Sequence, residues 1–176
     1  MDRRILVVDD SQLVCQQLSQ LLEAPDRQIT VAPDGTAALE WLMENRCSLV
    51  LTDLRLPGIS GLDLIKEIRD REMPVTVIVM TGYATVEAAV EAIKLGAYDL
   101  ITKPIDTIGL EVLVNQALED RRLIDEVADL RSRLRKRYAV LLREEVLRTV
   151  YDPSDVDEEI HSLCEALIAT EGRLGP

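Results

Sequence analysis

The sequence predicts an α/β fold, a five-stranded parallel doubly wound sheet carrying a C-terminal long helix or coiled coil and a short final helix. Short apolar runs recur between turn or acidic residues, stretches with helical spacing separate them, and the runs are continuous rather than alternating. Continuous apolar strands are those covered by helices on both faces, which is the arrangement of a parallel sheet.

The elements follow in order. Strand one is 5–8, and Leu13, Leu18, Leu21 and Leu22 give the first helix its apolar face. Strand two is 29–32, followed after Asp34-Gly35 by a helix through Ala38, Leu39 and Leu42. Strand three is 49–52, and the Pro57-Gly58 turn leads into a helix through Leu62, Leu64, Ile65 and Ile68. Strand four is 75–80, with Val86, Ala89, Val90 and Ile93 on the next helix and a stop at Lys94-Leu95-Gly96. Strand five is 98–102, and a fifth helix starts near Ile108. Glycine, proline and aspartate fall where the period changes, as turns and helix stops require. These five units make a domain over residues 3–118.

Beyond it, Leu123, Val127, Leu130 and Leu134 continue at steps of four and three, among Arg121, Arg122, Arg131, Arg133, Arg135, Lys136 and Arg137. Residues 119–150 therefore read as one continuous helical extension, a coiled coil whose narrow stripe pairs with a second copy or a helical protein partner through 108–150. A helix folding back on its own domain is the alternative. Tyr151-Asp152-Pro153 breaks this helix, and Ser154 with Asp157 starts another, so 151–176 is a short acidic amphipathic helix and tail. Residues 149–176 hold seven acidic side chains against one basic.

Composition narrows the partners. The 176 residues are 47% hydrophobic and 30% charged, with a net charge of −12. Such a chain buries a core, and it repels nucleic acid and anionic membranes, so direct contact with either is not expected. Cys15, Cys47 and Cys164 have no CxxC spacing and read as reduced, core-filling thiols. No apolar run reaches the ~20 residues of a membrane span and no signal peptide is evident, so the expected location is the cytoplasm.

In an open parallel sheet the ligand site lies beyond the C-terminal ends of the strands. Strand one ends in Asp9-Asp10, strand three in Asp53, strand four in Thr81 and strand five in Lys103-Pro104. Three carboxylates on one rim repel one another unless a hard divalent cation, Mg²⁺ or Mn²⁺, sits among them. Such a cation together with a lysine suits phosphoryl transfer, with Asp53 as the nucleophile that forms an acyl phosphate. Taken singly, each residue reads as an ordinary turn or cap.

Together, Ile5-Leu6-Val7-Val8-Asp9-Asp10, Leu51-Thr52-Asp53-Leu54-Arg55-Leu56-Pro57-Gly58-Ile59-Ser60-Gly61, Met80-Thr81-Gly82-Tyr83 and Lys103-Pro104 resemble the receiver domains of two-component response regulators. The resemblance implies the flavodoxin-like receiver fold and phosphorylation of Asp53 by a sensor histidine kinase. It implies Mg²⁺ held by Asp10, Asp53 and the Arg55 main-chain carbonyl, with Asp9 acting through metal-bound water. It further implies Thr81 bonded to the phosphoryl group, Lys103 paired with it, and a cis Lys103-Pro104 bond. Such a domain catalyses only its own phosphorylation and dephosphorylation. The segment from Thr81 to Val90 and the long helix look most like sigma-54 activator receivers, so an alternative is the N-terminal part of a larger activator of that type. Neither a GxxxxGK[ST] loop nor a DNA-binding module is seen.

One position departs from the family. The aromatic residue usual three positions before the lysine is Leu100, and Tyr98, two residues earlier, is expected on the same strand face. A different class, the haloacid-dehalogenase-like phosphatase, places two acids two residues apart after the first strand; here Asp9 and Asp10 are adjacent and Ser11 follows. A dinucleotide fold is weaker still, because Val8-Asp9-Asp10-Ser11-Gln12 has no glycine for a close pyrophosphate approach.

Overall fold

The computed structural model describes residues 3–82 and 85–149. The expected cap at Ser154 and the final helix, with Cys164, lie outside these residues, as does Tyr83. In chain order the elements are β1 (Arg3–Val8), α1 (Gln12–Leu21), β2 (Arg27–Ala32), α2 (Gly35–Glu44), β3 (Leu49–Asp53), α3 (Gly61–Asp70), β4 (Thr76–Thr81), α4 (Val86–Lys94), β5 (Asp99–Thr102) and α5 (Thr107–Thr149). The chain divides into two compact units, Met1–Arg122 and Leu123–Pro176.

The sheet has the order β2-β1-β3-β4-β5 and every pairing is parallel. Successive strand side chains point to opposite faces, which splits the core in two. Leu6, Val8, Val50, Val77 and Val79 pack with Ala38 and Leu42 of α2 and Leu64, Ile65 and Ile68 of α3. Ile5, Val7, Leu49, Leu51, Ile78 and Met80 pack with Cys15 and Leu18 of α1 and with Leu110, Val114 and Leu118 of α5. Both faces are covered, so neither parity of the strand sequence can be polar.

Four helices start on capping side chains that bond the amide three residues on. Ser11 accepts from Val14, Asp34 from Ala37 at 2.8 Å, Ser60 from Asp63 and Thr85 from Ala88. Each cap follows a strand, so the loops of the C-terminal rim are fixed at their far ends. Asp34→Ala is expected to cost about 1 kcal/mol. Scanning calorimetry should then show the melting temperature of the first unit falling by about 4–8 °C. Beyond the end of α4 at Lys94, Gly96 has a φ of +99°, the left-handed conformation that lets Ala97 N–H reach the Ala92 carbonyl at 2.9 Å.

Cys47 donates its thiol to the Leu49 carbonyl at 3.1 Å, and burial pushes it up to about 11. Its folded value lies above its unfolded one, so it contributes stability below about pH 9 that is lost as pH rises through about 11. At pH 8 the thiolate is the reactive form and is scarce. Peptide mapping after iodoacetamide treatment should find Cys47 largely unmodified in the folded protein and fully modified in urea.

Candidate functional site

The strand order reverses between β1 and β3, and the crevice at such a switch point lies beyond the strand ends. Strand register brings those ends level. Val8 pairs with Thr52, Asp53 with Met80 and Thr81 with Thr102, so the residues that follow emerge on one rim. The last step is fixed by Lys103 N–H donating to the Thr81 carbonyl at 2.7 Å.

Lys103 reaches back across β4 and β3. Its Nζ donates to Asp9 Oδ2 at 2.6 Å and also to Asp53 Oδ2. The other oxygen of each carboxylate is held by backbone: Asp9 Oδ1 accepts from Ser11 N–H at 2.9 Å, and Asp53 Oδ1 accepts from Arg55 N–H at 2.9 Å. Burial by itself would lower the Lys103 ammonium, but the hydrogen bonds it donates to Asp53 and Asp9 outweigh it and hold the group above the ordinary lysine value. Thr81 ends β4 with 2% of its surface exposed, and the Lys103-Pro104 peptide is cis.

Asp9 and Asp10 are adjacent in sequence yet differ in setting. Asp9 is 2% exposed, whereas Asp10 is open to solvent. Lys103→Ala removes the ammonium from a buried carboxylate and is expected to cost about 2 kcal/mol, read by urea titration in metal-free buffer.

The charges at the rim suit a hard cation. Asp9, Asp10 and Asp53 carry three negative charges and Lys103 one positive, which leaves the two charges a divalent ion cancels. Among the described residues no group of three histidine, cysteine, aspartate or glutamate side chains is placed to hold a metal ion. Mg²⁺ needs no such group, since it is commonly held by one or two carboxylates and keeps several waters. Asp10, Asp53 and the Arg55 carbonyl are the all-oxygen donors that the resemblance implies for it.

Two residues quoted in the motif around Asp53 have supporting roles that the sequence reading did not assign. Thr52, fully buried, donates its hydroxyl to the Asp53 carbonyl at 3.0 Å. Gly61 lies so close to that same carbonyl that a Cβ would overlap it. The one signal for Thr52 was a hydroxyl ending an otherwise aliphatic run, which strand propensity alone accounts for.

The expected placement of Tyr98 is corrected. Leu100 packs with the α2/α3 side of the core, whereas Tyr98 packs with the α1/α5 side, and its hydroxyl donates to Asp120 Oδ2 at 2.6 Å. Tyr98 precedes β5, so the two-residue period that would put it on the face of Leu100 does not extend to it. The bond to Asp120 raises the phenol above its ordinary value.

The model of the response regulator receiver domain family matches residues 5–115. Among curated proteins, the chain is 37% identical over 131 residues to the regulatory protein AtoC of Escherichia coli, covering 74% of this chain and 28% of AtoC. It is 38% identical over 139 residues to the transcriptional regulatory protein FixJ of Azorhizobium caulinodans, covering 79% of this chain and 66% of FixJ. The chain thus spans less than two thirds of these relatives, and little more than a quarter of AtoC. Among solved structures, the signal receiver domain of a putative Luxo repressor protein from Vibrio parahaemolyticus matches with a TM-score of 0.70 and 30% identity, covering 72% of this chain and 98% of that one. NtrX from Brucella abortus, in complex with ADP, matches with a TM-score of 0.66 and 34% identity, covering 74% of this chain and 29% of that one.

Proposed function

Because the chain belongs to the response regulator receiver domain family of two-component systems, we propose that Asp53 is its phosphoryl acceptor, loaded by a sensor histidine kinase. The observation that carries this reading is the hold on Asp53: one oxygen bonded to Lys103, the other to the Arg55 amide, at the rim end of β3.

An Asp53 carboxylate oxygen attacks phosphorus, an O–P bond forms, and the N–P bond of the donor phosphohistidine breaks, with the imidazole keeping the bonding pair. Lys103 supplies positive charge to the non-bridging oxygens, and Thr81 offers them a hydroxyl. Mg²⁺ on Asp10, Asp53 and the Arg55 carbonyl, when bound, supplies the remaining charge neutralisation. Asp9 keeps Lys103 aimed at the site through the 2.6 Å bond and would help to hold the metal without binding it directly. The activity is confined to the domain's own phosphorylation and dephosphorylation. No helix among the described residues is long and apolar enough to cross a membrane.

The output is a protein contact, by a dimer or a helical partner through 108–150. Exposed Ile108, Val112, Leu123, Val127, Leu130 and Leu134 along α5 support this. A second reading, that the domain belongs to a larger sigma-54-type activator, is favoured by the 28% coverage of AtoC. Incubation with acetyl phosphate and Mg²⁺ tests the acceptor: intact mass should rise by one phosphoryl group, and borohydride reduction should map it to Asp53. Mapping to another residue would overturn the assignment.

A further inference from the structure

The apolar stripe of the second unit has a charge pattern that selects how it pairs. Leu123, Val127, Leu130 and Leu134 are each between 42% and 51% exposed, and they repeat at the four–three spacing of a coiled-coil seam. Residues 125–129 carry Asp125, Glu126 and Asp129 with no basic side chain, whereas 131–137 carry five basic residues and no acidic one. A helix with an acidic block beside a basic block sets unlike blocks opposite each other along its length when its copy runs the other way.

We infer that residues 123–137 pair with a second copy of this chain in antiparallel orientation. The inference rests on the reading of 108–150 as a pairing surface and adds its direction. Leu123 then packs on the partner's Leu134 and Val127 on the partner's Leu130, so all four stripe residues are used by one symmetric register. The same register sets Glu126 beside the partner's Arg133 on the flank, twice by symmetry. A parallel pair instead lays the run 131–137 against itself. Its next core position is Arg137, which would meet its own copy across the seam. Four layers are few, so the pair dissociates on dilution, and its strength depends on the flanking charges.

Sedimentation of the full chain over a dilution series tests this. Wild type should show a monomer–dimer equilibrium whose dissociation constant rises about tenfold or more between 50 and 500 mM NaCl, as screening weakens opposite charges. Glu126→Arg and Arg133→Glu should each dissociate at least about tenfold more readily, while circular dichroism shows the helix intact. An equimolar mixture of the two should restore the dimer, because each Arg then faces a Glu in both flanks. A mixture that stays dissociated, or a wild-type dimer that tightens with salt, would overturn the antiparallel register. A wild-type chain that is monomeric at every concentration would overturn pairing altogether. Phosphoryl uptake, read by mass on the same samples, reports on Asp53 independently of either result.

Discussion

Asp53→Asn is expected to abolish phosphoryl uptake from acetyl phosphate, lowering its rate by at least about a thousandfold, while the domain stays folded. The amide has the shape of the carboxylate but no anionic oxygen to attack phosphorus. Its oxygen can still accept from Lys103 or from Arg55 N–H, the two donors that hold Asp53. Asp9 continues to hold Lys103, so stability by urea titration should change by less than about 1 kcal/mol. Phosphate uptake is read by intact mass, folding by circular dichroism. Uptake at the wild-type rate in a folded Asp53→Asn protein would mean that the acceptor lies elsewhere.

Gly61→Ala is expected to destabilise the first unit by about 3 kcal/mol, more than a usual helix-start substitution. Alanine normally suits the first turn of a helix better than glycine. Here the added Cβ meets the Asp53 carbonyl and Leu54 Cα, both main chain at the end of β3, which cannot rotate out of the way. Either α3 moves away from the sheet or the Asp53 backbone shifts. Gly61 N–H also donates to the Leu54 carbonyl at 3.0 Å, so that bond is stretched as well. A urea midpoint lowered together with slower uptake of acetyl phosphate checks the expectation. An unchanged midpoint would show that the loop absorbs the methyl group without cost.

The rim was legible because two regularities of the sequence are local. Continuous apolar runs mark strands covered on both faces, and polar residues at their ends mark the rim, so Asp9, Asp53, Thr81 and Lys103 could be assembled without coordinates. The same local rule failed at Tyr98. Its position two residues before Leu100 suggested a shared face, but β5 begins at Asp99, and the bond to Asp120 lies on the α5 side. Period two holds only inside a strand, and strand ends are the boundaries that a sequence marks least sharply.

The sequence by itself determined the order of strands and helices, the rim residues, and the alternation of acidic and basic blocks along the last helix. All of these depend on spacing along one chain. Only the tertiary structure decided that one ammonium spans Asp9 and Asp53, that Asp9 is buried while Asp10 is open, and that Thr52 and Gly61 both fix the Asp53 carbonyl. Those relations join residues up to 94 positions apart. They depend on strand register and on contacts of a few ångströms, which packing sets and sequence periodicity does not record.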